Sequence, residues 1–279
     1  VHREVVEMLS GQSALKQHGL TSEPSVGTRA LLTWGLSELG EFEEAEIWAL
    51  QGSKLAAKVS NNFSTAFMQA TSGLRYLRKG ELDTALELLH EANTLVHDLD
   101  IQSIFSFIAS SLGHALLLSG HPADALPIIE EAVKPKNLDS SIISSVYPLT
   151  ALSEALRLNG KLANAFETAE DALRIFRQTE ERCFGAWTLL VMAKIQSEIG
   201  SEKIAQARQS YRQAADLAAK LKMRPLLAHC SLECGQFFVK TGEFENARLE
   251  LQKAIDLFSS LGMRFWQPKA EALLSEISQ

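Results

Sequence analysis

Few residue combinations in this chain could do chemistry, and each falls short of a reaction. Gly160-Lys161 has the glycine and lysine of a phosphate-cradling loop. It lacks the glycine five residues earlier and runs into Leu162 rather than a hydroxyl residue, so it cannot hold a nucleotide. His90-Glu91 begins like the helical zinc motif of metalloproteases, but the next histidine is His97, seven residues on rather than four, and the ligand spacing fails. Glu87 and His90 share a helix face, yet a di-iron bundle needs that pair on two helices and further glutamates. His229, Cys230 and Cys234 cluster, and the two cysteines could touch one metal from one face only; as small apolar residues they read as core. Asn62-Phe63-Ser64 spells a glycosylation sequon that has no meaning in a cytosolic protein. Nothing places a base beside a nucleophile. The expectation is a chain with no catalytic residues, no metal, no cofactor and no enzyme activity of its own.

The elements that position these residues are set by a period. Glycines stand at 40, 80, 120, 160, 200 and 242, a repeat of 40 residues that slips by two at the end. Five residues after each, or seven after Gly200 where the repeat slips, comes alanine: Ala45, Ala85, Ala125, Ala165, Ala207 and Ala247. Seven before each stands another small or short residue: Thr33, Gly73, Gly113, Ser153, Ala193 and Gly235. Small residues on facing turns let two helix backbones approach closely. Apolar residues between the columns recur at helical spacing, as in Leu86, Leu89, Ala92, Leu95 and Val96. Each unit therefore reads as a helical hairpin with glycine in the left-handed position at its turn. Stacked hairpins bury a continuous core that one hairpin cannot bury alone.

This predicts an all-α fold, an α-α superhelix of about six hairpins in one solenoid domain over 1–279. The units are expected at 25–60, 61–100, 101–138, 139–180, 181–222 and 223–262, with a lone helix at 2–18 before them and a capping helix at 264–278 after them. Opening at Val1 rather than Met, inside a stretch patterned as helix, is expected of an array cut from a longer one. Pro127 and Pro148 fall inside stretches patterned as helix and should make irregular turns. After Gly200, Ser201 to Ile204 should lengthen the turn and absorb the two-residue slip.

Composition narrows the partners. A net charge of -7 gives no broad attraction for phosphate backbones or anionic lipid, so neither nucleic acid nor a membrane is an expected partner. The longest apolar run is far short of the ~20 residues that span a bilayer. Three unevenly spaced cysteines fit a reducing compartment, and the cytoplasm is the expected location.

Small columns on a helical hairpin, with glycine at the turn and alanine five later, resemble the tetratricopeptide repeat. The usual unit is about 34 residues and closes on proline; here it is longer, and Ala57, His97, Asn137 and Arg177 stand where that proline would fall. Over essentially its whole length the chain resembles the C-terminal repeat region of bacterial signalling proteins that join a class III nucleotide cyclase domain to a STAND-type ATPase. The resemblance rests on Glu38-Leu39-Gly40-Glu41-Phe42, Ala109-Ser110-Ser111-Leu112-Gly113, Met223-Arg224-Pro225-Leu226 with Ala228-His229-Cys230, and Leu261-Gly262-Met263-Arg264-Phe265-Trp266. It implies a regulatory, partner-sensing segment, with any cyclase or ATPase chemistry upstream of Val1.

The resemblance also implies that the first helix of each hairpin lines a concave groove, whose columns are counted back from the glycines. Thirteen before each stand Gly27, Phe67, Phe107, Tyr147, Trp187 and His229, an aromatic ladder. Six before stand Trp34, Leu74, His114, Glu154, Lys194 and Gln236, and two before stand Glu38, Arg78, Leu118, Leu158, Glu198 and Lys240, with Arg157 beside Leu158. The expected partner-binding residues are Trp34, Phe67, Arg78, Phe107, His114, Tyr147, Glu154, Arg157, Trp187, Lys194, His229 and Gln236. The ladder has two readings, a contact surface or core between successive first helices. The core reading suits Phe67 and Phe107 better than Tyr147 and Trp187, whose polar atoms favour partial exposure. The change from Trp34 and Leu74 to Glu154 and Lys194 predicts a solvent-facing position in the later units. Substituting that pair should then weaken binding and leave folding intact. The expected function is a non-catalytic interaction or sensor module that holds a peptide or protein partner, upstream domains of its own polypeptide included. The alternative is a peptide or small-molecule receptor domain like those of STAND-type transcription regulators. Nothing in the columns specifies an oligomeric state.

Overall fold

A computed structural model describes residues 23–277. Among them the fold is all-helical: fourteen α-helices in consecutive packed pairs, the α-α superhelix of tetratricopeptide-like arrays. The chain packs as two compact units that meet in sequence at Ile143 and Ser144. In the first, α1 (Pro24–Leu39) pairs with α2 (Phe42–Val59), α3 (Asn62–Lys79) with α4 (Leu82–Asp98), and α5 (Gln102–Leu118) with α6 (Pro122–Ala132), followed by the short α7 (Pro135–Ser140). In the second, α8 (Val146–Leu158) pairs with α9 (Leu162–Thr179), α10 (Arg182–Ile199) with α11 (Ile204–Lys220), and α12 (Arg224–Lys240) with α13 (Phe244–Ser260), and α14 (Gln267–Glu276) packs on α13. First helices lie side by side within each unit: α1, α3 and α5, then α8, α10 and α12. The lone helix expected at 2–18 and the last residue of the expected capping helix lie outside the described residues.

The turns follow from local chemistry. At Gly80 the backbone takes φ 91°, and the amide of Glu81 reaches back to the Tyr76 carbonyl at 2.9 Å, so a glycine closes the helix and satisfies an end carbonyl. The same reach-back recurs from Glu41, His121, Lys161 and Glu243. Gly200 departs from this with φ 147°, and a 3₁₀ turn at Ser201–Lys203 follows it, which is where the repeat slips by two. The prolines act differently from expectation. Helix α6 runs through Pro127 without a break, and Pro148 sits in the first turn of α8, where its missing amide has no helical partner to lose. The interruption is at Pro135: Lys134 before it is extended (φ -57°, ψ 140°), because proline disfavours a helical residue ahead of it. The fourth hairpin consequently starts at Val146, later than the 139 expected.

The paired helices meet where the small column faces a large residue sixteen positions later. A methyl group on Gly73 would stand 2.7 Å from Leu89 Cγ, one on Gly235 2.7 Å from Leu251 Cγ, and one on Gly113 2.2 Å from Ile129 Cγ1. Leu89, Ile129 and Leu251 are fully buried. In the first hairpin a hydroxyl stands in this column: Thr33 Oγ1 donates to the Arg29 carbonyl of its own helix at 2.9 Å and lies 3.5 Å from the Ala45 carbonyl of α2. Adding a methyl at Gly113 would gain about 1 kcal/mol of helix propensity. Ile129 is stiff at χ1 and cannot retreat, so overpacking of about 1–3 kcal/mol should outweigh that gain. Gly113→Ala is therefore expected to lower the urea midpoint, and adding Ile129→Ala should recover part of the loss; a Gly113→Ala chain more stable than wild type would contradict the interlock.

Candidate partner-binding surface

In the first unit the expected site residues are drawn into the core. Phe67 and Phe107 are buried with ring centroids 6.4 Å apart, and the half-buried Trp34 ring lies 5.2 Å from Phe107. The Trp34 indole donates to Glu38 Oε1 at 3.3 Å, and Arg78 Nε donates to the same oxygen at 2.8 Å. Arg78 and Glu38 are both buried, so this pair joins α1 to α3 across one repeat and presents no charge to a partner. His114 is half-buried on α5. Phe67, Phe107 and Arg78 are thus corrections to the expected surface.

In the second unit Tyr147 is also core. Its ring stacks on Phe184 at 5.3 Å and only 3% of the residue is exposed, against the expectation that its hydroxyl would keep it at the surface. The ladder fills the space between successive first helices, and burying an aromatic ring there outweighs partial exposure of one hydroxyl. Trp187 and His229 are half-buried, with rings 5.8 Å apart, and His229 packs edge-on against Trp266 at 4.5 Å.

The charged columns of the second unit do converge. Glu154 accepts Arg157 Nε at 2.8 Å and Nη2 at 2.9 Å, a two-pronged pair within α8, and accepts Lys194 Nζ from α10 at 2.6 Å. Lys194 also lies 3.4 Å from Glu233 on α12, and Arg157 Nη1 donates to Glu198 on α10. Glu154 is buried, and the side chains of Arg157 and Lys194 are 10% and 17% exposed. Glu154 and Lys194 are therefore not the solvent-facing pair the sequence suggested. Each cancels the other's charge across one repeat, which lets both go under cover. Burial alone would raise the Glu154 carboxyl, but the Lys194 ammonium and the Arg157 guanidinium outweigh it and hold the group well below the usual carboxylate range. Burial would likewise lower Lys194, and Glu154 and Glu233 overcome it to raise its pKa.

Beside this cluster a cavity of about 250 Å³ opens to solvent, lined by Arg157, Lys194, Ser197, Glu198, Tyr211, Glu233, Gln236, Phe237 and Lys240. Three of the twelve expected residues line it: Arg157, Lys194 and Gln236. Lys240 donates to the Ser197 carbonyl and makes no ion pair among the described residues. Sequence reasoning missed Ser197, Glu233, Phe237 and Tyr211, while Glu198 and Lys240 stood in a column without being chosen. Tyr211 comes from the second helix α11, so no count along first helices finds it. Among the described residues no group of three or more His, Cys, Asp or Glu could hold a metal ion, and no helix is long and apolar enough to cross a membrane. Burial pushes both thiols up, Cys234 to about 12 and Cys230 further, as expected of packing residues rather than ligands.

Removing the Glu154 charge leaves two cations without their main partner. Glu154→Gln is expected to cost about 3 kcal/mol at neutral pH, in the range for breaking a buried pair. The carboxyl titrates lower in the folded than in the unfolded chain, so its contribution is full above its ordinary value of 4.5 and drains as pH falls below it. Urea unfolding at about pH 7 and about pH 3.5 should show the gap between wild type and Glu154→Gln narrowing in acid; a gap independent of pH would contradict the buried pairing.

No protein-family model matches the chain, and no curated protein matches it in sequence. Solved structures do. NprR in complex with its cognate peptide NprX is 18% identical with a TM-score of 0.62, the match covering 98% of this chain and 77% of that one. A Rap protein complexed with Competence and Sporulation Factor is 12% identical with a TM-score of 0.63, covering 100% and 80%. A signal-transduction ATPase with numerous domains and a tetratricopeptide repeat sensor, from Pyrococcus horikoshii, is 16% identical with a TM-score of 0.57, covering 98% of this chain and 41% of that one. At these identities the likeness is one of fold, and the chain has the fold of tetratricopeptide-like repeat arrays.

Proposed function

We propose that this chain is a non-catalytic binding module that holds a peptide or protein partner on the first helices of its second unit, α8, α10 and α12. The observation that carries the reading is the cavity where Arg157, Lys194, Gln236 and Lys240 converge. At about 250 Å³ it is smaller than the ~300–1,000 Å³ of sites that enclose a small ligand. It is also open and rimmed by charge, which suits one side chain or chain end of a longer partner better than a buried metabolite. That favours the interaction reading over a small-molecule receptor. Two proteins of similar fold were solved with NprX and with Competence and Sporulation Factor bound, which supports a peptide as the partner's form. The likeness to the repeat-bearing ATPase, with the resemblance drawn from the sequence, supports placing this module as the regulatory C-terminal part of a larger cytoplasmic ATPase or cyclase signalling protein. One repeat array over the whole chain belongs to the same proposal, as does a partner contributed by upstream domains of the polypeptide. Trp187 and His229, on α10 and α12, keep partial exposure and remain with the proposed contact residues.

The test is selection of peptides from a random library against the chain, followed by titration of Gln236→Trp. Gln236 is exposed on the cavity wall, so the ring should block the mouth without touching the core. Affinity for selected peptides is expected to fall at least about tenfold, more than 1.4 kcal/mol, with the thermal midpoint unchanged. Undiminished binding of every selected peptide would move the site elsewhere.

A further inference from the structure

The cavity of the second unit contains more donors than its own acids use. Arg157 commits Nε and Nη2 to Glu154, and its remaining prong, Nη1, to Glu198. Lys194 is held by Glu154 and Glu233. Lys240, at the wall, spends one of an ammonium's three donors on the Ser197 carbonyl and has no acid within ion-pair reach among the described residues. The Tyr211 ring is buried and packs 5.4 Å from that of Phe237.

The acids are not equivalent. The Glu154 side chain is 9% exposed and locked by three bonds, whereas that of Glu198 is 37% exposed and holds one prong of Arg157. An exposed pair of this kind contributes little, because water competes for both ends and the side chain pays entropy to stay. Glu198 can therefore swing into solvent while the rest of the cluster stays fixed. Counting the group as it stands, Glu154, Glu198 and Glu233 balance Arg157, Lys194 and Lys240. With Glu198 withdrawn, three cations face two acids, and the cavity carries one uncompensated positive charge beside a planar guanidinium edge.

Resting on the reading of this cavity as the partner site, we propose that it is a carboxylate-recognition site which the protein fills with its own Glu198, and that a partner's carboxylate displaces Glu198 from Arg157 and takes up Lys240. A single carboxylate matches the charge left, with one oxygen placed on the Nη1 prong that Glu198 vacates. Gln236 on the same wall offers an amide to the second oxygen. The carboxylate could be a peptide's free C-terminus or an acidic side chain, and both present the same group.

The experiment follows the Arg157 Nε–H resonance of the full chain while three probes are added: N-acetyl-alanyl-alanine with a free C-terminus, N-acetyl-aspartate methylamide, and the uncharged N-acetyl-alanine methylamide. A saturable shift is expected with at least one acid and none with the uncharged probe; the tighter acid identifies the source. Glu198→Gln should tighten the acid about threefold to fivefold, the weight of an exposed ion pair, and Lys240→Met should weaken it about tenfold. Both variants are at exposed side chains and are checked by their thermal midpoints. No saturable shift with either acid, in wild type and in Glu198→Gln alike, overturns the proposal. So does equal response to the uncharged probe or indifference to Lys240→Met. If library peptides are nevertheless lost on Gln236→Trp, the partner site stands and only its carboxylate chemistry falls.

Discussion

The close approach of two helices in each hairpin is the constraint on which the rest depends. Where a first helix offers glycine, its partner offers leucine or isoleucine, and the notch admits no further atom. Thr33 and Ser153 occupy the same column with alanine sixteen residues on, so bulk is exchanged across the seam. A fixed seam fixes the spacing of successive first helices within a unit. That spacing brings residues one repeat apart, such as Glu38 and Arg78 or Glu154 and Lys194, within bonding distance.

Charges inside a helical layer are costly, and both units meet the cost through partners from the neighbouring hairpin. In the first unit one acid serves an arginine and an indole, and aromatic rings close around them. In the second the arrangement grows into a network with an open cavity beside it, because the column two places before the glycine carries Glu198 and Lys240. Burial of Glu154 makes the network a part of the fold, while Glu198, Gln236 and Lys240 stand exposed at its edge. Stability and recognition are thereby assigned to different members of one charged cluster.

Much of the architecture was legible because it is periodic. Glycines marked the turns, the small column marked the seam, and the slip after Gly200 marked the 3₁₀ turn. Pro135 was overlooked because the pattern around it still read as helix; the interruption comes from the residue before a proline, which periodicity does not weigh. The site was read less well. A charged residue in a variable column looks solvent-facing until its opposite is noticed at the same column one repeat away, and Glu154 with Lys194 is such a pair. Phe67, Phe107 and Tyr147 of the aromatic ladder went under cover for the complementary reason: identical positions one period apart face one another as well as the solvent, and large rings there become core. Tyr211 was out of reach because it comes from a second helix, which the columns counted along first helices do not cover.

The central claim is that partners are read by the first helices of the second unit. Amide hydrogen exchange on the full chain, with and without a library-selected peptide, tests it directly. Slowed exchange is predicted at Lys194 to Gly200 and at Glu233 to Thr241, where the cavity-lining residues sit. Slowing confined to the second helices, Leu162–Thr179 and Ile204–Lys220, would contradict the account.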